Sequence, residues 1–448
     1  MRILVINGSP KGENSITLQT MLYLQKRFKD ETFEILHAGQ QIHALEKDFS
    51  KATEMLERAD LVIFSYPVYT FLVPSQLHRF IELMKENKVK VNGKYFTQFS
   101  TSKHFYDTTA HQFIQDNCDD LGCRYVRGLS ADMDDLLEPK GRKEAEDFFE
   151  YVRWNMSKGY YEPRKYTKTS RQVIESMKSD VSFVFKDIKF GKRVVIVTDL
   201  PEGESRLSNM IEAFSSVMGM KCDIFDLRKF HFKGGCLGCF NCAADGKCIY
   251  NDRFDEYLRN NIQRSSAIVY AFTVKDHSMG SRFKMFDDRQ FCNGHRTVTM
   301  GKPVAYIVDG DLSREENLRV LMEARAQVGG NHLAGIANSF KDVEQVADRL
   351  AYCIENSYEQ PKNFYGVGGL KIFRDLIYMM QGLMREDHRF YKKNGFYDFP
   401  QKKKGRIMAM YLVGSMMNNK KLKRKMGGKM TEGMLMPYRK VLEKAEQI

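Results

Sequence analysis

No apolar run in this 448-residue chain reaches the roughly eighteen residues that a membrane-spanning helix requires. The start, Met1-Arg2-Ile3-Leu4-Val5-Ile6, runs into a Gly-Ser-Pro turn and lacks the features of a secretion signal. Recognition motifs for nucleic acid are missing as well, so no nucleic-acid partner is expected. The first 361 residues carry almost no net charge. Beyond them stand 20 Lys and Arg against 7 Asp and Glu, the whole of the net +13. A cytoplasmic protein is the expectation, with its nine cysteines reduced and better suited to metal or redox chemistry than to disulfides. A hydrophobic content of 43% over 448 residues allows two or three domains with ample core.

What the chain does hold is a cluster of thiols. Cys236, Cys239, Cys242 and Cys248 fall within thirteen residues, spaced Cys-x2-Cys-x2-Cys-x5-Cys. Close all-thiolate ligation of this kind suits an iron–sulfur cluster, here a [4Fe–4S] cluster. Zinc is the first alternative, although all-cysteine zinc sites more often come as two separated Cys-x2-Cys knuckles. A loop without metal is the other. Cys118, Cys123, Cys222, Cys292 and Cys353 stand singly and read as small core residues.

The opening residues 2–6 read as a buried parallel strand. A small hydroxyl-rich loop and a helical pattern follow, an arrangement whose amides and hydroxyls suit an anion. Residues 59–65 read as a third strand ending in the aromatic, Pro-bounded loop Tyr66-Pro67-Val68-Tyr69-Thr70-Phe71-Leu72-Val73-Pro74. Such a loop suits a flat ring at the switch point of a doubly wound sheet. Residues 95–102 and 123–128 read as the fourth and fifth strands, and a helix is expected from about Gly141 to Trp154.

Together, Asn7-Gly8-Ser9-Pro10-Lys11, Asn14-Ser15-Ile16-Thr17, Tyr66-Pro67-Val68-Tyr69 and Pro74-x2-Leu77-x2-Phe80-Ile81 resemble the NAD(P)H-dependent FMN reductase and iron–sulfur flavoprotein group of flavodoxin-like proteins. The resemblance implies FMN, with Ser9, Lys11, Asn14, Ser15 and Thr17 on its phosphate. Pro67, Val68, Tyr69 and Thr70 would flank the ring, and Thr101 and Ser102 would close the site. Half-buried core is the alternative for Tyr66 and Tyr69. The group's cysteine loop belongs between the second and third strands, yet residues 36–43 contain no cysteine. His37 and His43 there read as solvated.

A basic linker, 159–192, separates this first domain (1–158) from a second (193–360) that repeats it. Arg2 aligns with Arg193, Pro10 with Pro201 and Gly12 with Gly203, an offset of 191. Pro74-Ser75-Gln76-Leu77-His78-Arg79-Phe80 aligns with Gly280-Ser281-Arg282-Phe283-Lys284-Met285-Phe286 at an offset of about 206. The growth lies in the region of the cysteine loop. Asp199, Leu200 and Glu202 stand where Gly8, Ser9 and Lys11 would meet phosphate, so the second copy is expected to have lost flavin. Its Asp276 and His277 read as a surface hydrogen-bonded pair, with a proton relay as the alternative.

The fold expected is α/β: two tandem flavodoxin-like doubly wound parallel sheets and a helical basic extension, 361–448. The extension holds a helical stretch at 370–384, a second apolar stretch at 406–414 and two lysine clusters. It reads as an arm packed on the domains, or as a dock for an acidic electron carrier or an anionic membrane surface.

By this resemblance the chain is a flavin oxidoreductase, passing electrons between NAD(P)H or a reduced carrier, FMN, the cluster and a small-molecule or protein acceptor. The resemblance also implies a homo-oligomer. No catalytic side chain is assigned. A non-enzymatic electron-transfer flavoprotein and a zinc-binding interaction protein are the alternatives.

Overall fold

Uniformly apolar runs such as Ile3-Leu4-Val5-Ile6 cannot keep one edge in water, and they become strands covered on both faces. In the computed structural model, which describes residues 1–163, 191–200 and 203–417, they build two parallel sheets. The first contains β1 (Arg2–Asn7), β2 (Thr32–Leu36), β3 (Leu61–Pro67), β4 (Tyr95–Ser102), β5 (Arg124–Tyr125) and β6 (Leu129–Asp132). Its order is β2-β1-β3-β4-β5, with β6 also pairing β4. The second contains β7 (Arg193–Thr198), β8 (Lys221–Asp226), β9 (Ala267–Thr273), β10 (Pro303–Asp309) and β11 (His332–Ala337). Its order, β8-β7-β9-β10-β11, is the same topology.

Helices α1 (Ile16–Arg27), α2 (Ala38–Leu45), α3 (Ser50–Arg58), α4 (Ser75–Glu86), α5 (Asp107–Asp120) and α6 (Pro139–Lys158) flank the first sheet. With the second run α7 (Arg206–Val217), the single turns α8 (Cys242–Asp245) and α9 (Phe254–Tyr257), α10 (Ser281–Arg289), α11 (Glu316–Val328) and α12 (Phe340–Glu355). Then come α13 (Phe364–Met379), α14 (Arg385–Lys393) and α15 (Lys404–Met417). The chain divides into two compact units, Met1–Tyr391 and Lys392–Ile448, so both sheets and α13 lie in the first. There α13 rests on α11, with the Phe373 ring 4.5 Å from that of Phe105.

The expected fifth strand is split. Gly128 lies so close to Gln98 that a Cβ would meet its backbone, and the chain leaves the ladder between β5 and β6.

The two halves are alike in the backbone itself. Thr70 and Phe71 have φ of 41° and 70°, and 206 residues later Asp276 and His277 have 52° and 63°. The bridge Tyr69–Leu72 recurs as Lys275–Ser278 at the same spacing. Left-handed residues other than glycine are uncommon, so a matched pair in both halves marks equivalent loops. The equivalent helices α4 and α10 pack on each other, and one apolar core, including Phe80, Phe113, Phe283 and Phe286, runs through both halves. Pro201, Glu202 and the second lysine cluster lie outside the described residues.

Candidate flavin and cysteine-loop site

Three loops meet at the carboxyl ends of β1, β3 and β4. Asn7 shapes the first: its amide Nδ2 donates to the Gly12 carbonyl at 2.8 Å, and its Oδ1 accepts the Ser9 amide at 3.2 Å. Gly8 is pressed against Leu77, where a Cβ would lie 2.6 Å from Cδ2. Ser9 Oγ accepts the Lys11 amide, and Ser15 caps α1 by accepting the Leu18 amide. Thr101 joins the loops. Its hydroxyl lies 2.6 Å from that of Thr17, and its carbonyl accepts the Val68 amide at 3.1 Å.

Ser9, Ser15, Thr17, Thr101 and Ser102 are all buried, with Ser15 and Thr17 at the amino end of α1 and Thr101 bonded to Thr17, while Asn14 is exposed. Hydroxyl donors, a lysine and a helix amino end fit a phosphate monoester. Pro67, Val68, Tyr69 and Thr70 form the half-buried rim beside it.

The corresponding place in the second half is filled differently. Arg206, at the first position of α7, pairs with Asp309 at the end of β10 at 2.6 Å. Asp199 is half-buried there, and desolvation foremost raises its carboxyl pKa to about 6. The pair His277–Asp276 is not mutual. His277 bonds Glu315 and Asp120, and Asp276 accepts Lys85, all across packed elements rather than on an open surface.

The cysteine loop runs from β8 to α9 and is seated on the ring loop of the other half. Gly238, at φ +59°, lies against the Tyr69 hydroxyl, leaving no room for a Cβ. Gln76 Nε2 donates to the Cys236 carbonyl at 3.3 Å, and Lys11 Nζ sits 5.5 Å over the Phe240 ring. Phe291 meets the Tyr69 ring edge-on at 5.7 Å. Burial first, then the neighbouring Cys236, Asp288 and Cys239, hold the Tyr69 hydroxyl well above its ordinary pKa.

Arg289 closes the loop at its base. Its guanidinium donates to the Gly234 carbonyl at 2.9 Å and to both Asp252 oxygens at 2.8 Å, so it ties the residues before Cys236 to those after Cys248. It is only 1% exposed and lies 4.4 Å over the Tyr250 ring. Tyr250 donates in turn to the Gly235 carbonyl.

Burial, with the charges of its neighbours, pushes the Cys236 thiol up to about 12, and burial foremost pushes Cys242 to about 11. Thiols with pKa values raised this far keep their protons near neutral pH unless a bound metal displaces them. Cys239 is exposed, and Cys292, read as a lone core residue, is buried within electrostatic reach of Cys242 and Cys248. Among the described residues no three of His, Cys, Asp and Glu are gathered tightly enough for one ion. Zinc would draw its sulfurs to about 2.3 Å from one centre. A four-iron cluster takes one thiolate at each corner and leaves them farther apart. The donor set, four thiols on one clamped loop, fits the cluster in kind.

Gln76, Arg289 and Phe291 carry no mark in the sequence as site residues. Only Asn7, next to the Gly-Ser-Pro turn at a strand end, stands where a loop organiser is expected.

Residues 1–126 match the family model of the NADPH-dependent FMN reductases. Over this part the chain is similar to that family. It is similar to an iron–sulfur flavoprotein of Archaeoglobus fulgidus, 24% identical over 221 residues covering 46% of this chain and 99% of that one. An iron–sulfur flavoprotein of Clostridioides difficile is 24% identical over 155 residues, covering 32% and 68%. Among solved structures, an NADH:FMN oxidoreductase in its apo form covers 34% of this chain and 89% of its own, at 18% identity and a TM-score of 0.31. The FerB NAD(P)H:acceptor oxidoreductase of Paracoccus denitrificans covers 34% and 97%, at 17% identity and a TM-score of 0.28.

Proposed function

We propose that this chain is an NAD(P)H-dependent FMN oxidoreductase whose first half holds FMN and whose second half holds a [4Fe–4S] cluster on Cys236, Cys239, Cys242 and Cys248. The observation that carries the reading is the contact of Gly238 with Tyr69, which brings the middle of the cysteine loop onto the rim of the flavin loops. When bound, FMN supplies the exchange between paired and single electrons, and the cluster takes single ones.

The residues of the chain bind, orient and shield. Lys11, the α1 amino end and the hydroxyls of Ser9, Ser15 and Thr17 balance the phosphate charge. Thr101 holds the phosphate loop to the ring loop. Tyr69, Phe240 and Phe291 exclude water between ring loop and cysteine loop, and Arg289 offsets the negative charge of the thiolates while fixing the loop ends. In the second half an Arg206–Asp309 ion pair stands at the amino end of α7, and one flavin per chain is the stoichiometry proposed. We take the compartment to be the cytoplasm; among the described residues no helix is long and apolar enough to cross a membrane.

Anaerobic purification tests the reading. One FMN and about four irons per chain, with flavin absorption bleached by NAD(P)H on a catalytic timescale, is the result expected. Flavin and iron without reduction by NAD(P)H would make the chain an electron-transfer module. Stoichiometric zinc without iron would overturn the cluster.

A further inference from the structure

Lys284 reaches across the joint between the two halves. It lies on α10 of the second half and is fully buried, yet its ammonium ends on the ring loop of the first. There Nζ donates to the Tyr69 carbonyl at 2.8 Å. Its other partner is Asp288, one turn further along α10. The Tyr69 carbonyl also accepts the Leu72 amide at 3.0 Å, and the Phe71 carbonyl accepts the Thr109 hydroxyl at 2.6 Å. Between these anchors Thr70 and Phe71 keep their left-handed backbone, which persists only where the surroundings hold it.

A buried ammonium is costly to desolvate, and neutralising Asp288 does not require it to meet a carbonyl of another loop. The contact has a geometric effect. A trans peptide is planar, so its N–H points opposite to its C=O. With the Tyr69 carbonyl drawn to Lys284, the Thr70 N–H faces away from that lysine, and no described residue accepts it.

The other half lacks this device. At the offset of 206, His78 on α4 stands where Lys284 stands on α10, and Lys275 where Tyr69 stands. His78 is equally buried, but neither ring nitrogen has a hydrogen-bond partner among the described residues. No side chain among them donates to the Lys275 carbonyl. The support runs one way, from the second half to the loop that lies beside the phosphate-fitting hydroxyls.

We propose that Lys284 is a positioning residue for the flavin ring, fixing the Tyr69–Thr70 peptide from the second half so that the loop presents its Thr70 N–H to the ring. The inference rests on the reading of the first half as the FMN site.

Ligand binding by the full chain, stripped of flavin, tests it. Lys284→Met removes the ammonium. Lys284→Met with Asp288→Asn also removes the charge left behind and keeps an acceptor for the Ser75 amide, so it carries the test if the single variant fails to fold. FMN and riboflavin should each bind these variants about tenfold more weakly, the effect of one lost charge-assisted hydrogen bond. Inorganic phosphate should bind as before, because the phosphate loop is untouched. With FMN saturating, the visible circular dichroism of the bound flavin should change. His78→Leu, in the same joint, should leave FMN affinity within twofold. Unchanged FMN binding in the folded Lys284 variants overturns the proposal. So does an equal loss for inorganic phosphate, or an equal loss in His78→Leu, either of which would make Lys284 a general brace of the joint. A wild-type chain that takes up no FMN overturns the underlying reading, and this inference with it.

Discussion

Glu82 and Asp288, 206 residues apart, each accept the first amide of the other's helix. Asp288 Oδ2 takes the Ser75 amide at 2.9 Å and Glu82 Oε1 takes the Ser281 amide at 2.8 Å. The two halves are therefore joined by a reciprocal pair of helix caps, buried between α4 and α10.

Removing one of them should loosen the joint. Glu82→Ala also deprives the Ser281 hydroxyl and Lys275 of their partner. A loss of about 2–3 kcal/mol is expected, as for a buried cap with charge-assisted bonds. The measurement is the denaturant midpoint, and Glu82→Gln, which keeps an acceptor, should lose less.

Gly238→Ala should unseat the cysteine loop, because a Cβ collides with the Tyr69 hydroxyl and alanine resists φ +59° by about 1 kcal/mol. Iron content after reconstitution should fall. Adding Tyr69→Phe, which removes the colliding oxygen, should restore part of it; no restoration would mean that the contact is not what holds the loop.

Arg289→Met leaves Asp252 buried without its partner and frees both ends of the loop. The expected cost is about 3 kcal/mol or more, as for breaking a buried ion pair. Arg289→Lys keeps the charge but cannot serve Gly234 and both Asp252 oxygens together. It should retain stability better than it retains iron, which thermal unfolding and iron assay separate.

Thr101→Val removes the hydroxyl that meets Thr17. The FMN dissociation constant, read by flavin fluorescence, should rise about tenfold, the effect of one lost hydrogen bond.

His277 sets a dependence on alkaline pH. Burial alone would lower its pKa, but hydrogen bonds to Asp120 and Glu315 outweigh that and raise it to about 10. A raised folded value means that this stability is complete below the unfolded value near 6.5. It is lost as pH climbs towards 10. The chain should lose stability over that window, by about 5 kcal/mol at most, and His277→Gln should flatten the loss.

Much of this architecture could be read before any coordinates. Parallel strands covered on both faces are written as largely apolar runs, so 2–6 and 193–197 stood out, and the offset near 206 marked α4 and α10 as equivalents. The split after Tyr125 was not legible, because it depends on how near Gly128 comes to Gln98. Arg289 was not legible either. At the end of Asp287-Asp288-Arg289 it reads as a solvated helix terminus. Only the packing of α10 under the loop turns it inward. His277 beside Asp276 suggested a local pair because neighbours in sequence are visible, whereas their actual partners lie on α5, α4 and the turn before α11.

Two identical subunits about a dyad would be obliged to mirror every substitution. Here the two halves share one polypeptide, so one can carry the Arg206–Asp309 ion pair while the other carries the Thr17–Thr101 hydroxyl pair. Tethering also means that dilution cannot separate a thiol loop from the ring loop it covers, and turnover per molecule should hold steady down to nanomolar protein.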